Sequence, residues 1–182
     1  PNTSNVNWRQ GAYELVEWDA ANTDKAPVNC TSVDILLSTD NGQTYPIALA
    51  TNVPNSGKAY VLVPNNVNTN SARVRVNGAV NVFFDISNIG FKVGPATTPA
   101  VTLGITTTKS RICLPDVFST QVVSSGIGGF SNPVVLDIVS GLPAGAQYSF
   151  SPSTINPGET ATLNLNLNGS TIEGVYNIQV RA

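Results

Sequence analysis

The chain has 182 residues, 41% of them hydrophobic and only 11% charged, with a net charge of −2 and no histidine. The missing histidine excludes Ser-His-Asp and Cys-His nucleophile systems and imidazole-based zinc sites, and two cysteines fall short of an all-thiolate zinc site. The near-neutral balance offers no basic footprint for nucleic acid and no polybasic patch for anionic lipid, and no apolar run reaches the about 18 residues of a membrane span.

So few charges leave the surface to Asn, Ser, Thr and Gly, which suits an extracellular β-protein better than a cytosolic helical enzyme. The chain starts at Pro1 without a signal-peptide apolar region, lacks Met and ends on a strand-like segment. It is expected to be an excised or processed piece of something longer.

The first predicted strand is YELVEW, Tyr13–Trp18, whose closing Trp18 is assigned to the core of a sandwich. Trp8, Tyr13 and Tyr45 divide between ordinary packing and an exposed pair that stacks on sugar. In the loop after Trp18, Asp19 and Asp24 with Asn22 are candidate calcium ligands, against the reading of a solvated loop. Cys30 follows, before the strand VDILLS over Val33–Ser38.

LSTDNGQTYPI, residues 37 to 47, has the Asp-Asn-Gly of a tight hairpin, with Gly42 in the most strained position. An EF-hand loop needs oxygen ligands at alternate positions before its Gly. Leu37 stands at one of them, and Ala48 stands where the closing Glu belongs. A turn is the expected reading. Three further strands follow, at Ala59–Val63, Ala72–Val76 and Val82–Ile86. In ARVRV, Val74 and Val76 point to one face and Arg73 and Arg75 to the other. In VFFDI, Asp85 lies opposite Val82, Phe84 and Ile86 and is expected to point outward.

GPATTPA, residues 94–100, reads as a stiff, exposed linker between a first domain at 1–93 and a second at 101–182. Strand patterns resume at Ala100–Thr106, Phe118–Val123, Pro133–Val139, Gln147–Phe150, Thr160–Leu167 and Val175–Val180, with Leu163, Leu165 and Leu167 inward. No window holds a helical stripe for three turns. The fold expected is all-β, two tandem antiparallel sandwiches of Ig-like or fibronectin III-like type.

VEWDAANTDKAPVNCTSVDILLSTDNGQTYPIALATNVPNSGKAYVLVP, followed by SARVRVNGAVNVFFDISNIGFKV, closely resembles a module that follows the catalytic domain in secreted bacterial metallopeptidases. Those are reprolysin-like and gluzincin-related enzymes of flavobacteria and their relatives. The resemblance covers roughly residues 8 to 93. The second half, with ICLPDVFSTQV, SGLPAGAQYSFSP, PGETATL and GVYNIQV, is similar to the domain that often comes next and to many bacterial surface proteins. The resemblance implies an extracellular or cell-surface location and a non-catalytic role, because the His-Glu-x-x-His of those peptidases is absent. The partners it implies are other domains of the same polypeptide.

Cys30 and Cys113 fall in different predicted domains. A bridge between them closes a loop of roughly eighty residues, with a chain-entropy contribution of about 4 kcal/mol, provided the Cα atoms come within about 7 Å. Two separate thiols are the competing reading. Glycoside hydrolysis needs two carboxylates about 5 to 9 Å apart across a cleft. Glu14 and Glu17, three apart on a strand, fall on opposite faces, and no other pair stands out as acid and base. The sequons at Asn2, Asn29 and Asn168 read as chance in an Asn-rich chain.

The expected role is therefore a spacer, stabiliser or substrate-anchoring region of an exported metallopeptidase-like protein, with no cofactor beyond the candidate calcium. The alternative is an adhesin fragment that binds extracellular protein or glycan through the loops Asp19–Asn29 and Thr51–Lys58.

Overall fold

The computed structural model describes residues 6–108, 110–113, 116–168 and 173–182. They divide between two compact units, Pro1–Thr98 and Pro99–Ala182. Among the described residues there is no α-helix, and none therefore is long and apolar enough to cross a membrane.

The first unit contains β1 (Asn7–Arg9), β2 (Tyr13–Glu17), β3 (Ser32–Ser38), β4 (Ile47–Pro54), β5 (Lys58–Leu62), β6 (Thr69–Gly78), β7 (Phe84–Ile86) and β8 (Phe91–Gly94). Its large sheet runs β1-β8-β6-β3-β4, with β7 also on β6, and β2 pairs β5 in the facing sheet. All these pairs are antiparallel except β1 with β8, where Trp8 stands beside Val93. Period-two alternation makes the sandwich. From the large sheet, Val33, Ile35, Leu37, Ala72, Val74 and Val76 turn inward, and Val16 and Val61 meet them from β2 and β5. At the centre Trp8 packs edge-to-face on Phe91, ring centroids 4.7 Å apart, an arrangement that adds about 0.5–1.5 kcal/mol beyond area burial. Trp18 takes a different place from the one expected: it is partly buried and packs against this core from its rim, whereas Trp8 is 4% exposed. Trp18 lies just beyond the end of β2, where the sandwich opens to its loops.

The second unit contains β9 (Ala100–Ile105), β10 (Val117–Ile127), β11 (Val134–Val135), β12 (Asp137–Ser140), β13 (Gln147–Ser151), β14 (Thr154–Ile155), β15 (Thr160–Asn166) and β16 (Gln179–Arg181). One sheet runs β13-β15-β10-β9, and shorter pairs, β11–β14 and β12–β16, supply the other layer. In TATLNLN the leucines point inward: Leu163 and Leu165, and Leu167 just beyond the strand, join Val122, Leu136 and Ile155. A β-carbon at Gly126 would run into the Phe130 carbonyl, so the turn after β10 folds back only over glycine. Both units are all-β and built as sandwiches of mostly antiparallel strands.

Candidate functional site

The two loops singled out as recognition elements meet at one end of the first sandwich, and Asn55 holds them together. Asn55 is 6% exposed. Its Oδ1 accepts the Trp18 indole N–H at 2.8 Å, and its Nδ2 donates to Thr23 Oγ1 and to the Cys30 carbonyl, each at 3.0 Å. Its backbone N–H donates to the Thr31 carbonyl at 2.8 Å. Both amide protons and the amide oxygen are thus used, which fixes the side chain and makes it costly to remove. The sequence marks Asn55 only as part of a VPNSG turn; nothing in its neighbours announces a buried hub.

Cys30 lies beneath these loops. It is fully buried, and its thiol donates to the Ser32 carbonyl at 3.1 Å. Cys113 is exposed in the second unit, and both cysteines are free thiols. A sulfur sealed under the Asn55 hub is out of reach without opening the loop.

The calcium reading also loses its geometry. Asp19 Oδ1 accepts the Ala21 N–H at 2.8 Å, shaping a turn in which Ala21 and Asn22 take φ of 46° and 61°. The Asn22 amide oxygen, the third ligand expected, instead accepts from Lys25 Nζ at 3.3 Å. Among the described residues no group of three or more His, Cys, Asp or Glu gathers as a metal would need, and Asp24 stays exposed in its loop. Of the sequons, Asn29 and Asn168 are exposed and Asn2 lies outside the described residues.

The Asp-Asn-Gly stretch is a turn, yet a broader one than a tight hairpin: β3 ends at Ser38 and β4 begins at Ile47. Asn41 and Gly42 carry the positive φ, 61° and 89°. Asp40 closes the loop, its Oδ1 accepting from Ser38 Oγ at 2.6 Å and from the Thr44 N–H at 2.9 Å, its Oδ2 from Thr44 Oγ1 at 2.6 Å. Those bonds, the Ser38 hydroxyl foremost, hold its carboxyl well below the usual carboxylate range.

Other carboxylates are spent in the same way. Asp34, Asp85, Asp116 and Asp137 each accept a backbone N–H. Asp137 also takes the Tyr148 hydroxyl at 2.7 Å and Arg181 at 2.8 Å, so β12 is fastened both to β16 and to β13 of the other sheet. These partners, Tyr148 first, lower the Asp137 carboxyl below its ordinary range. Glu14 differs. It faces inward beside Arg9, and burial pushes its carboxyl up. Glu17 points away from it, opposite Lys58, so the two glutamates do not form an acid–base pair. Trp8 is in the core and Arg75 lies 4.5 Å over the Tyr45 ring, which removes two of the three side chains proposed for sugar stacking.

No protein-family model matches the chain, and no curated protein matches it at a significant level. Among solved structures, the surface layer protein SbsC, domains 1–6, aligns with 86% of this chain and 19% of its own length, at 16% identity and a TM-score of 0.36. This chain thus spans less than a fifth of that protein. The sandwich architecture rests on the register and burial of the chain itself.

Proposed function

We propose that this chain is a non-catalytic accessory region of an exported bacterial protein, one that holds or anchors other domains of the same polypeptide. The observation that carries the reading is the use of its carboxylates. Asp19, Asp34, Asp40, Asp85, Asp116 and Asp137 each accept a backbone N–H and act as struts for turns and strand ends. Carboxylates tied to the backbone in this way serve the loops and strand ends that they hold, and no two of them face each other as an acid and a base would. The motif resemblance over residues 8 to 93 favours a metallopeptidase-like parent.

A second reading, adhesion to an extracellular protein or glycan, is favoured by one feature: Asn55 welds the Thr51–Lys58 loop to the Asp19–Asn29 loop as a single rigid surface. The two readings part in the full-length protein. Deleting this region from a parent peptidase is expected to leave turnover of a short soluble peptide unchanged and to lower turnover of an insoluble protein substrate. A parent without a His-Glu-x-x-His domain, built instead of repeated sandwiches, would favour adhesion and overturn the peptidase assignment.

A further inference from the structure

The outward side of the large sheet in the first unit carries a second, unrelated feature. Across it in register stand Ala48, Leu36, Arg75 and Ile86, and next to that row Asp34, Asn77 and Phe84. Their neighbours Val74 and Val76 are buried, so alternation turns both rows away from the core. The Arg75 guanidinium carbon lies 4.5 Å from the Tyr45 ring centroid and 5.6 Å from that of Phe84, within cation–π range of both. Arg73 is fixed on the same face. Its Nε donates to Asn41 Oδ1 at 2.9 Å, and its Nη1 donates to the carbonyls of Ser87 and Asn88 at 3.0 and 3.3 Å.

Neither arginine has a carboxylate within ion-pair distance among the described residues. The nearby acids are engaged elsewhere, Asp34 with the Asn52 N–H and Asp40 with Ser38 and Thr44. The same region collects buried polar atoms that have no protein hydrogen-bond partner: Tyr45 Oη, Arg75 Nε and Asn77 Oδ1 on the face, and Asn81 Oδ1 in the turn after β6. Beside them the chain exposes apolar surface, with Val80, Val82 and Phe84 82%, 99% and 59% accessible.

We propose that this face docks an extended protein segment with carboxylates at alternate positions, followed by an apolar side chain. The charge is complementary: two immobilised guanidinium groups with no carboxylate in ion-pair contact among the described residues favour an anion. The spacing agrees as well. Arg73 and Arg75 are two residues apart on one strand, about 7 Å, which equals the separation of alternate side chains on a partner strand. The next same-face position reaches the Asn77 and Phe84 row, where an apolar side chain meets exposed Phe84 and Val82. A pyranose ring fits less well, because it needs an open aromatic face and Arg75 covers that of Tyr45.

The test is an NMR titration of the whole labelled chain with the peptide acetyl-Asp-Thr-Asp-Thr-Phe-amide, and in parallel with a galacturonate trimer. Saturable shifts are expected at the Arg73 and Arg75 Nε–H groups and at the Leu36 and Phe84 amides, for the peptide only. Arg75→Gln should weaken binding about tenfold, the loss of one charge-assisted contact. Val82→Glu, at a fully exposed position that leaves the core untouched, should weaken it too by like-charge repulsion. Absence of saturable shifts overturns the proposal. So does equal or tighter binding of the galacturonate trimer, or peptide binding that survives Arg73→Gln with Arg75→Gln.

Discussion

In the first unit the side chains sealed most completely from solvent include Phe91, Ile35, Leu37 and a set of valines from both sheets; among the described residues of the second, Ile155, Val122 and the small Ala161 reach that depth. Phe118, Phe130 and Phe150 pack against the second core without being fully enclosed. The facing layers explain the contrast. β2 and β5 form a continuous lid of five residues each over the first core, whereas the second core is covered by the short pairs β11–β14 and β12–β16. There Asp137 adds a polar tie between the two layers, through Tyr148 and Arg181. A sandwich can thus be closed by packing or by tethers, and this chain shows both.

The sharpest way to break that contrast is in the cores. Phe91→Ala removes a ring that is 1% exposed and the partner of Trp8, and should cost about 3–5 kcal/mol. Leu163→Ala, at 2% exposure in the second core, should cost less, near the lower end of the about 2–5 kcal/mol range, because a loosely covered site collapses around the cavity. Denaturant melts followed by hydrogen exchange in β6 and in β15 would read each. Equal costs would remove the distinction.

Next in size is the hub. Asn55→Ala leaves the Trp18 indole N–H, the Thr23 hydroxyl and the Cys30 carbonyl without their partner, at about 1–3 kcal/mol. In a Cys113→Ser background, the same change should make the Cys30 thiol, which is buried in the intact protein, accessible to a thiol reagent.

The smallest effects are in pH dependence, and they have opposite signs. The Asp40 and Asp137 carboxyls are depressed in the folded state, so the stability they contribute is complete above about pH 4 and is lost as pH falls below it. Asp40→Asn should melt below the parent at pH 7 and converge with it in acid. Glu14 is raised by burial, so its folded-state cost appears as pH rises past the ordinary carboxylate range. Glu14→Gln should therefore melt slightly above the parent at pH 7 and match it near pH 4.

Much of the fold was legible because alternation is a local signal. ARVRV and TATLNLN place Val74, Val76, Leu163 and Leu165 in the cores as their period requires. What failed depends on distant partners. Val82 and Phe84 do lie opposite Asp85 in alternation, yet they face solvent, because β7 is a short strand whose register with Asn77 turns Phe84 outward. Trp8 and Trp18 could not be ranked without the parallel β1–β8 pair, which brings Trp8 beside Val93. The Asp40 loop was legible as a turn, but its width depends on a Thr44 contact that no turn template contains. The Asn55 hub and the arginine face join residues more than thirty positions apart, such as Trp18 with Asn55 and Asn41 with Arg73, and no periodicity encodes them.

The claim underlying all of this is that the chain supplies geometry and contact surface and leaves bond cleavage to other domains. The most direct measurement is mass spectrometry of a denatured protein substrate incubated with the purified chain, with and without added zinc or calcium. No new termini should accumulate over the substrate alone under any condition. Cleavage that rises with the amount of chain and disappears in an Asp40→Asn or Glu14→Gln variant would contradict it.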